Sequence, residues 1–313
     1  MSINASTLRF FRYSSIVRNR PDGPDFIVAG LMKTSTSWLY SVLSKNQSFN
    51  MPLTKELLFF TYLSNQELPN GNNKRLIDRM QERIASAQLD FVENSSSWSS
   101  DYRDFHELKL KNFVANPFTR EWYEGLFLPT SPHKPSGDIT PSYALLPKQY
   151  LSDIKSDYDP KVVLIFRNPL DRFWSGLKML VSESGVSLDD HSAVMNIVTN
   201  RFKSVSLDYR EVYENYSQVF GESLAIFSYE DIHKNPQGFF DSFCAHVGAS
   251  KSEIGLTAQN VVYQTPKTPM PKWLYEYAVD TQLESRLFMR EYFPEHVEGW
   301  QCDTSITNAK VTP

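Results

Sequence analysis

Cysteine is scarce in this chain: Cys244 and Cys302 are its two thiols in 313 residues. Two thiols build neither a disulfide scaffold nor a metal cluster, and Cys244 sits in an apolar helical pattern that suits a buried thiol. No apolar run approaches the roughly 20 residues that span a bilayer, and the N-terminus has no continuous apolar segment of signal-peptide type. The expectation is a soluble, cytoplasmic protein of a reducing compartment. There is no long basic run and the net charge is −4, which argues against a nucleic-acid partner. No acidic pair has metal-ligand logic, so no metal is expected. Missing too is the nucleotide loop GxxxxGK[ST], in which the lysine follows a second glycine and a Ser/Thr meets magnesium. No internal repeat or second domain boundary is visible.

With 41% hydrophobic and 14% aromatic residues, the chain can bury one large core, and α/β folds of this length are often single domains. Phe26 to Ala29 is a short apolar run of buried-strand type, Gly30 breaks it, Leu31 to Ser35 form a tight loop, and Thr36 to Leu43 reads as a helix. A strand, a short loop and a helix N-terminus form an anion cradle, because the free N–H groups and the positive dipole end face the bound group. Lys33 adds a charge, and Thr34, Ser35, Thr36 and Ser37 add hydroxyl donors. An ordinary strand–helix connection with a solvated lysine has the same composition.

A second stretch repeats the pattern. Val162 to Phe166 is a buried strand with Arg167 at its carboxyl end. Asn168 suits a helix cap, Pro169 the first helical position and Asp171 the first turn. Ligands gather beyond the carboxyl ends of strands in open α/β sheets. Arg167 is therefore placed to grip an anion with its planar fork, and Ser175 lies two turns further on. Leu224 to Tyr229 is a third buried strand.

These two stretches resemble the sulfotransferases that use 3′-phosphoadenosine 5′-phosphosulfate. Gly30, Lys33, Thr36 and Leu39 match the 5′-phosphosulfate loop GxxKxGTTxL, with Ser35 in place of a glycine and Ser37 in place of a threonine. Arg167, Pro169, Arg172 and Ser175 match the 3′-phosphate motif RxPxxRxxS. The resemblance implies a P-loop-kinase-like fold, a single α/β domain with a central parallel sheet flanked by helices, over residues 25–300. A basic arm (1–24) precedes it and a tail (301–313) follows. It implies the phosphosulfate nucleotide as donor, 3′-phosphoadenosine 5′-phosphate as product, no metal, and Trp38 among the nucleotide contacts.

Further segments extend the likeness. Phe49 to Met51 suits a short strand. After it, Lys55 and Glu56 open an apolar run, as a helix N-terminus with an acid in its first turn would. The same segment resembles the KExxFF of Golgi-type carbohydrate sulfotransferases, whose glutamate is the proposed general base. Beside apolar residues the Glu56 carboxyl is expected to have a raised pKa. Residues 64–137 read as the acceptor-facing part: Leu76, Ile77, Met80, Ile84 and Ala87 share one helical face, and the aromatics beyond suit either an acceptor pocket or a core. Gly137 to Tyr143 resembles the family's GEKTPxY, with Ile139 where many members have a lysine; Asp138 and Thr140 are candidates to touch the acceptor or orient Glu56. His133 is a lesser candidate base. Tyr229, in a YEDLxxxP-like segment, is a candidate adenine contact or a core residue, and Lys267 a candidate for the 3′-phosphate. The implied acceptor is a carbohydrate, lipid or other small-molecule hydroxyl. A nucleotide or small-molecule kinase, and a nucleotide-binding protein without transfer activity, remain alternatives.

Overall fold

A computed structural model describes residues 23–68, 72–127, 134–200, 207–254, 268–297 and 300. His133, Lys267, Cys302 and nearly all of the basic arm lie outside the described residues.

Four parallel strands form the sheet: β1 (Phe26–Gly30), β2 (Gly137–Ile139), β3 (Lys161–Phe166) and β4 (Leu224–Ser228), in the order β2-β1-β3-β4. Every residue of β1 and all but the first of β3 are buried, as continuous apolar runs demand in a parallel sheet covered on both faces. β4 is only partly buried, because it has a neighbour on one side alone. The fully buried strand expected there is an edge strand.

Helices cover both faces. In chain order they are α1 (Thr36–Lys45), α2 (Phe59–Gln66), α3 (Lys74–Asn94), α4 (Ser100–Val114), α5 (Arg120–Gly125), α6 (Lys148–Tyr158), α7 (Pro169–Ser184), α8 (His191–Asn200), α9 (Tyr209–Phe220), α10 (Tyr229–Lys234), α11 (Pro236–Val247), α12 (Lys272–Thr281) and α13 (Leu283–Tyr292), before a final turn at Pro294–Val297. One cluster joins Phe26 and Val28 of β1 to Trp38 and Leu39 of α1 and to Phe239, Phe240 and Phe243 of α11. On the opposite face Ile27, Ala29, Leu164 and Phe166 pack with Tyr123, Tyr143, Tyr209 and Tyr216. The alternation along β1 is the two-residue period of a strand. Two termini obey the expected chemistry: Asn168 caps α7 by accepting from the Leu170 N–H at 3.0 Å ahead of Pro169, and Gly248 (φ 74°) ends α11 in the left-handed conformation.

Two local expectations are corrected. Phe49 to Met51 is not a strand. Lys55 and Glu56 are not at a helix N-terminus, because α2 begins only at Phe59. Among the described residues no helix is long and apolar enough to cross a membrane. Cys244 is buried, and burial raises its thiol to about 11.

Candidate active site

Gly30 turns the chain out of β1 with φ 122°, and a Cβ there would stand 2.8 Å from the Pro141 carbonyl oxygen. Glycine is needed on both counts. The loop then takes two left-handed residues, Lys33 (φ 69°) and Ser35 (φ 62°). Ser35 thus adopts the backbone that the family's glycine would adopt, although left-handed geometry costs a non-glycine residue about 1–2 kcal/mol. Thr34 is buried, and its hydroxyl donates to the Leu31 carbonyl at 2.6 Å. That hydroxyl closes the loop on itself.

Ser35 precedes α1 without a side-chain hydrogen bond to the helix, and no acid lies in the first turn. The first-turn N–H groups and the positive dipole end therefore have no anionic side chain of their own, in contrast to α7, which has Asn168 as cap and Asp171 in its first turn. Thr36 is buried, while Ser35 and Ser37 are partly exposed. Trp38, expected at the nucleotide, is only 3% exposed and packs on Phe239 at 6.0 Å between ring centres. Its helical position turns its ring towards α11.

Arg167, at the end of β3, reaches across to this loop: its Nη1 donates to the Lys33 carbonyl at 3.0 Å. Its own carbonyl accepts from the Tyr209 hydroxyl at 2.9 Å, and its guanidinium lies 4.1 Å from the centre of the Tyr229 ring. The Arg167 Nε is buried without a partner among the described residues. Lys33 is held under α7, with Met179 Sδ 3.8 Å from its Nζ, and Ser175 is buried on that helix beside Gly176, which borders the Lys33 side chain. Burial lowers the Lys33 pKa first, and the charges of Arg167, Lys55 and Lys178 lower it further against the opposing Glu183. Among the described residues neither Lys33 nor Arg167 has a carboxylate within ion-pair distance. Mutually repelling cations, an uncapped helix and an orphaned guanidinium N–H are what an anionic ligand would satisfy. These residues fit a doubly anionic nucleotide. Among the described residues no group of three metal-ligating side chains occurs.

Glu56 is arranged in the opposite way. Its carboxylate is held by Lys55 Nζ at 2.5 Å and by Arg83 Nη2 at 2.8 Å. Arg83 Nη1 also donates to the Glu56 carbonyl, and the Glu56 N–H donates to the Ile139 carbonyl at 2.7 Å. These bonds hold a segment in which Glu56 (φ 57°) and Leu58 (φ 62°) are both left-handed. Burial pushes the Glu56 carboxyl up, but the two cations outweigh it and hold it below the usual range. The expected raised pKa is corrected: its chain neighbours Leu57 to Phe60 suggested an apolar site, and Arg83, from α3, supplies the missing charge.

Asp138 and Thr140 are fully buried. Asp138 accepts from the Thr140 hydroxyl at 2.6 Å and the Tyr123 hydroxyl at 3.1 Å, and burial raises it to about 6 despite these bonds and one from the Leu57 N–H. Both lie beneath the Glu56–Leu57 backbone, tied to it through the Leu57 N–H and the Ile139 carbonyl.

Arg83 also lines a cleft of about 240 Å³ between α3 and α4. Sequence reading missed Arg83, the one charged residue in the half-buried stripe that Leu76, Met80 and Ala87 form along its helix, and His106, which lies in the cleft. The ring of His106 is 4.9 Å from Trp98 and 4.2 Å from Tyr102. Burial and the nearby Lys109 lower its pKa to about 4, so it is neutral at physiological pH.

A sulfotransferase-family model matches residues 24–253, most of the chain. The fold is similar to that of a sulfotransferase from Alicyclobacillus acidocaldarius, at 18% identity and a TM-score of 0.53, over 88% of this chain and 94% of that one. Weaker likenesses are to the sulfotransferase domain of the curacin biosynthetic pathway (15% identity, TM-score 0.42, 85% and 98% covered) and to that of the Synechococcus PCC 7002 olefin synthase (13%, 0.43, 85% and 89%). No curated protein matches the chain. With the motif residues of β1–α1 and β3–α7 brought face to face in an all-parallel sheet, and with the family match spanning both, the chain belongs to the sulfotransferase family.

Proposed function

We propose that this sulfotransferase uses 3′-phosphoadenosine 5′-phosphosulfate and transfers its sulfuryl group to a hydroxyl of a carbohydrate, lipid or other small molecule. The observation that carries the donor is the pair Lys33 and Arg167, adjacent at the carboxyl ends of β1 and β3 and without carboxylate partners among the described residues. Lys33, with the first-turn N–H groups of α1, is assigned the 5′-phosphosulfate; Arg167, with Ser175, the 3′-phosphate; Tyr229 orients the guanidinium of Arg167.

In the transfer, the acceptor oxygen forms a bond to sulfur as the bond from sulfur to the phosphate oxygen breaks. The acceptor proton passes to the Glu56 carboxylate, and the charge left on the phosphate oxygen is met by Lys33. Positioned charge of this kind accounts for most of the catalysis in the analogous phosphoryl transfers. Because two cations hold Glu56, it is ionised at neutral pH but weakly basic, and its proton transfer depends on one of them turning to another partner. That pairing also favours a second reading, a protein that binds the nucleotide without transfer.

Thermal-shift titration with 3′-phosphoadenosine 5′-phosphate, ADP and ATP tests the donor. A ligand that binds only the folded state raises the midpoint with occupancy. The expected result is stabilisation by the 3′-phosphorylated nucleotide, lost in Arg167→Ala; an equal response to ATP, or none to any of the three, refutes it. Binding without nucleotide release across acceptors establishes the second reading.

A further inference from the structure

Lys55 stands between two sites with opposite needs. Its Nζ bonds Glu56 Oε1 at 2.5 Å, while Arg83 Nη2 holds the other oxygen, Oε2, at 2.8 Å. The Glu56 N–H donates to the Ile139 carbonyl at the end of β2 at 2.7 Å. Ile139 pairs with Val28 of β1, and β1 ends at Gly30, where the Lys33 loop begins. Tyr40 of α1 donates to the Pro52 carbonyl at 2.8 Å, which ties the same segment to the helix that follows the loop. Lys55 is thus carried beside the anion cradle, and its charge already acts on the Lys33 ammonium.

The two cations on Glu56 are not equally free to leave it. Arg83 grips the residue twice, at its carboxylate and at its carbonyl, and a planar fork that turns away gives up both bonds. Lys55 is a point charge on a flexible stem. It makes one bond to the carboxylate, and its side chain is 25% exposed. An ion pair so placed is weak. A phosphosulfate seated on Lys33 brings concentrated negative charge to the same neighbourhood, and the cation able to answer it by moving is Lys55.

We propose that Lys55 is a latch worked by the donor: it turns from Glu56 to the anionic oxygens at the 5′ end of the bound nucleotide and so frees Glu56 Oε1 for the acceptor proton. The latch rests on the donor reading above and names the cation that moves. With no donor bound, Glu56 is held by both cations and is a poor base. With the donor bound it keeps Arg83 alone, its burial is less opposed, and its affinity for a proton rises. The carboxylate thus becomes a competent base only once the group to be transferred is in place. The other charged groups about Glu56 keep their positions: Arg83, with Arg79 beyond it on α3, and Asp138 beneath from β2.

The test is calorimetric titration of the full chain with 3′-phosphoadenosine 5′-phosphate in buffers of different ionisation enthalpy, from about pH 7 down to about pH 4. It compares wild type, Glu56→Gln, Lys55→Met and the double variant. Protons exchanged by the nucleotide phosphates, and by Asp138 with its pKa of about 6, are common to both members of a pair. The difference between a protein and its Glu56→Gln counterpart therefore isolates Glu56. Wild type should take up a further fraction of a proton at Glu56 on binding. Lys55→Met, in which the latch is already open, should lose most of that uptake. Binding without uptake at Glu56 overturns the latch and leaves the donor reading standing. Uptake of equal size in Lys55→Met does the same, since a lysine that stays in place leaves only the direct effect of the bound anion on the carboxyl. No binding to wild type refutes the donor reading, and the latch with it. If Lys55→Met fails to fold, Lys55→Gln gives the same comparison.

Discussion

At the carboxyl ends of β1 and β3 the functional groups are placed by backbone. Lys33 and Arg167 each follow a buried strand by a few residues, the two strands are hydrogen-bonded neighbours, and the link between the two residues runs from guanidinium to main-chain carbonyl. The cations there are left facing one another. On the α3–α4 side the groups are placed by side chains from distant parts of the sequence: Arg83 holds Glu56 from 27 residues away, and Tyr123 reaches Asp138 from 15. There Glu56 is matched by two cations and Asp138 by hydroxyl donors. The first arrangement waits for an anion and the second is already satisfied, so a substitution should act on turnover in one and on stability or basicity in the other.

Lys33→Ala should break the comparison most sharply. Removal of one preorganised donor from a developing charge costs roughly 10²–10³ in turnover. Because burial and like charges already disfavour the Lys33 ammonium, its loss should leave the thermal midpoint unchanged or slightly higher. A variant that retains full turnover removes Lys33 from the mechanism.

Asp138→Asn tests the other side through stability. The folded pKa of Asp138 is raised to about 6 from 3.8, so the folded protein holds a proton that the unfolded chain has released between those values. Stability from this group is therefore fullest below about pH 4 and falls as pH rises to about 6, on the order of 1–3 kcal/mol. The difference between wild type and Asp138→Asn in denaturant midpoint should change over that window and be flat above it. A flat difference throughout refutes the raised pKa.

Arg83→Gln should move basicity rather than fold. With one of two cations gone, burial of Glu56 is less opposed and its pKa rises. The low-pH limb of kcat/KM then shifts upward, and the rate on the plateau above it is kept or raised, since the more basic carboxylate is no longer held by Arg83. An unmoved limb means that Glu56 is not the titrating base.

The same contrast decided what the sequence disclosed. β1, β3, β4, the caps of α7 and α11, and the Lys33–Arg167 pair were legible because apolar runs, Asn-Pro and a terminal glycine act within a few residues. β2 was not, since Gly137, Asp138 and Ile139 make a short strand with a buried acid, and only Tyr123 and Thr140 make that acid tolerable. The basicity of Glu56 was misjudged because its controlling partner Arg83 lies on a helix distant in sequence, in an apolar stripe whose spacing says nothing of what its one charged member meets.

Ser35→Gly probes the smallest of these effects, on the loop itself. Ser35 holds φ 62° and ψ 22° with no side-chain bond to the helix it precedes, so glycine removes the cost of a Cβ in left-handed backbone and gives up no cap. Against this stands the greater freedom of glycine in the unfolded chain, and the net change should be a stabilisation of about 0–1 kcal/mol. Affinity for an anion should alter little, because the N–H groups that face it belong to the backbone and keep their positions. A destabilisation above about 1 kcal/mol in chemical denaturation would show that the Ser35 side chain supports the loop, and that this side too depends on side-chain contacts.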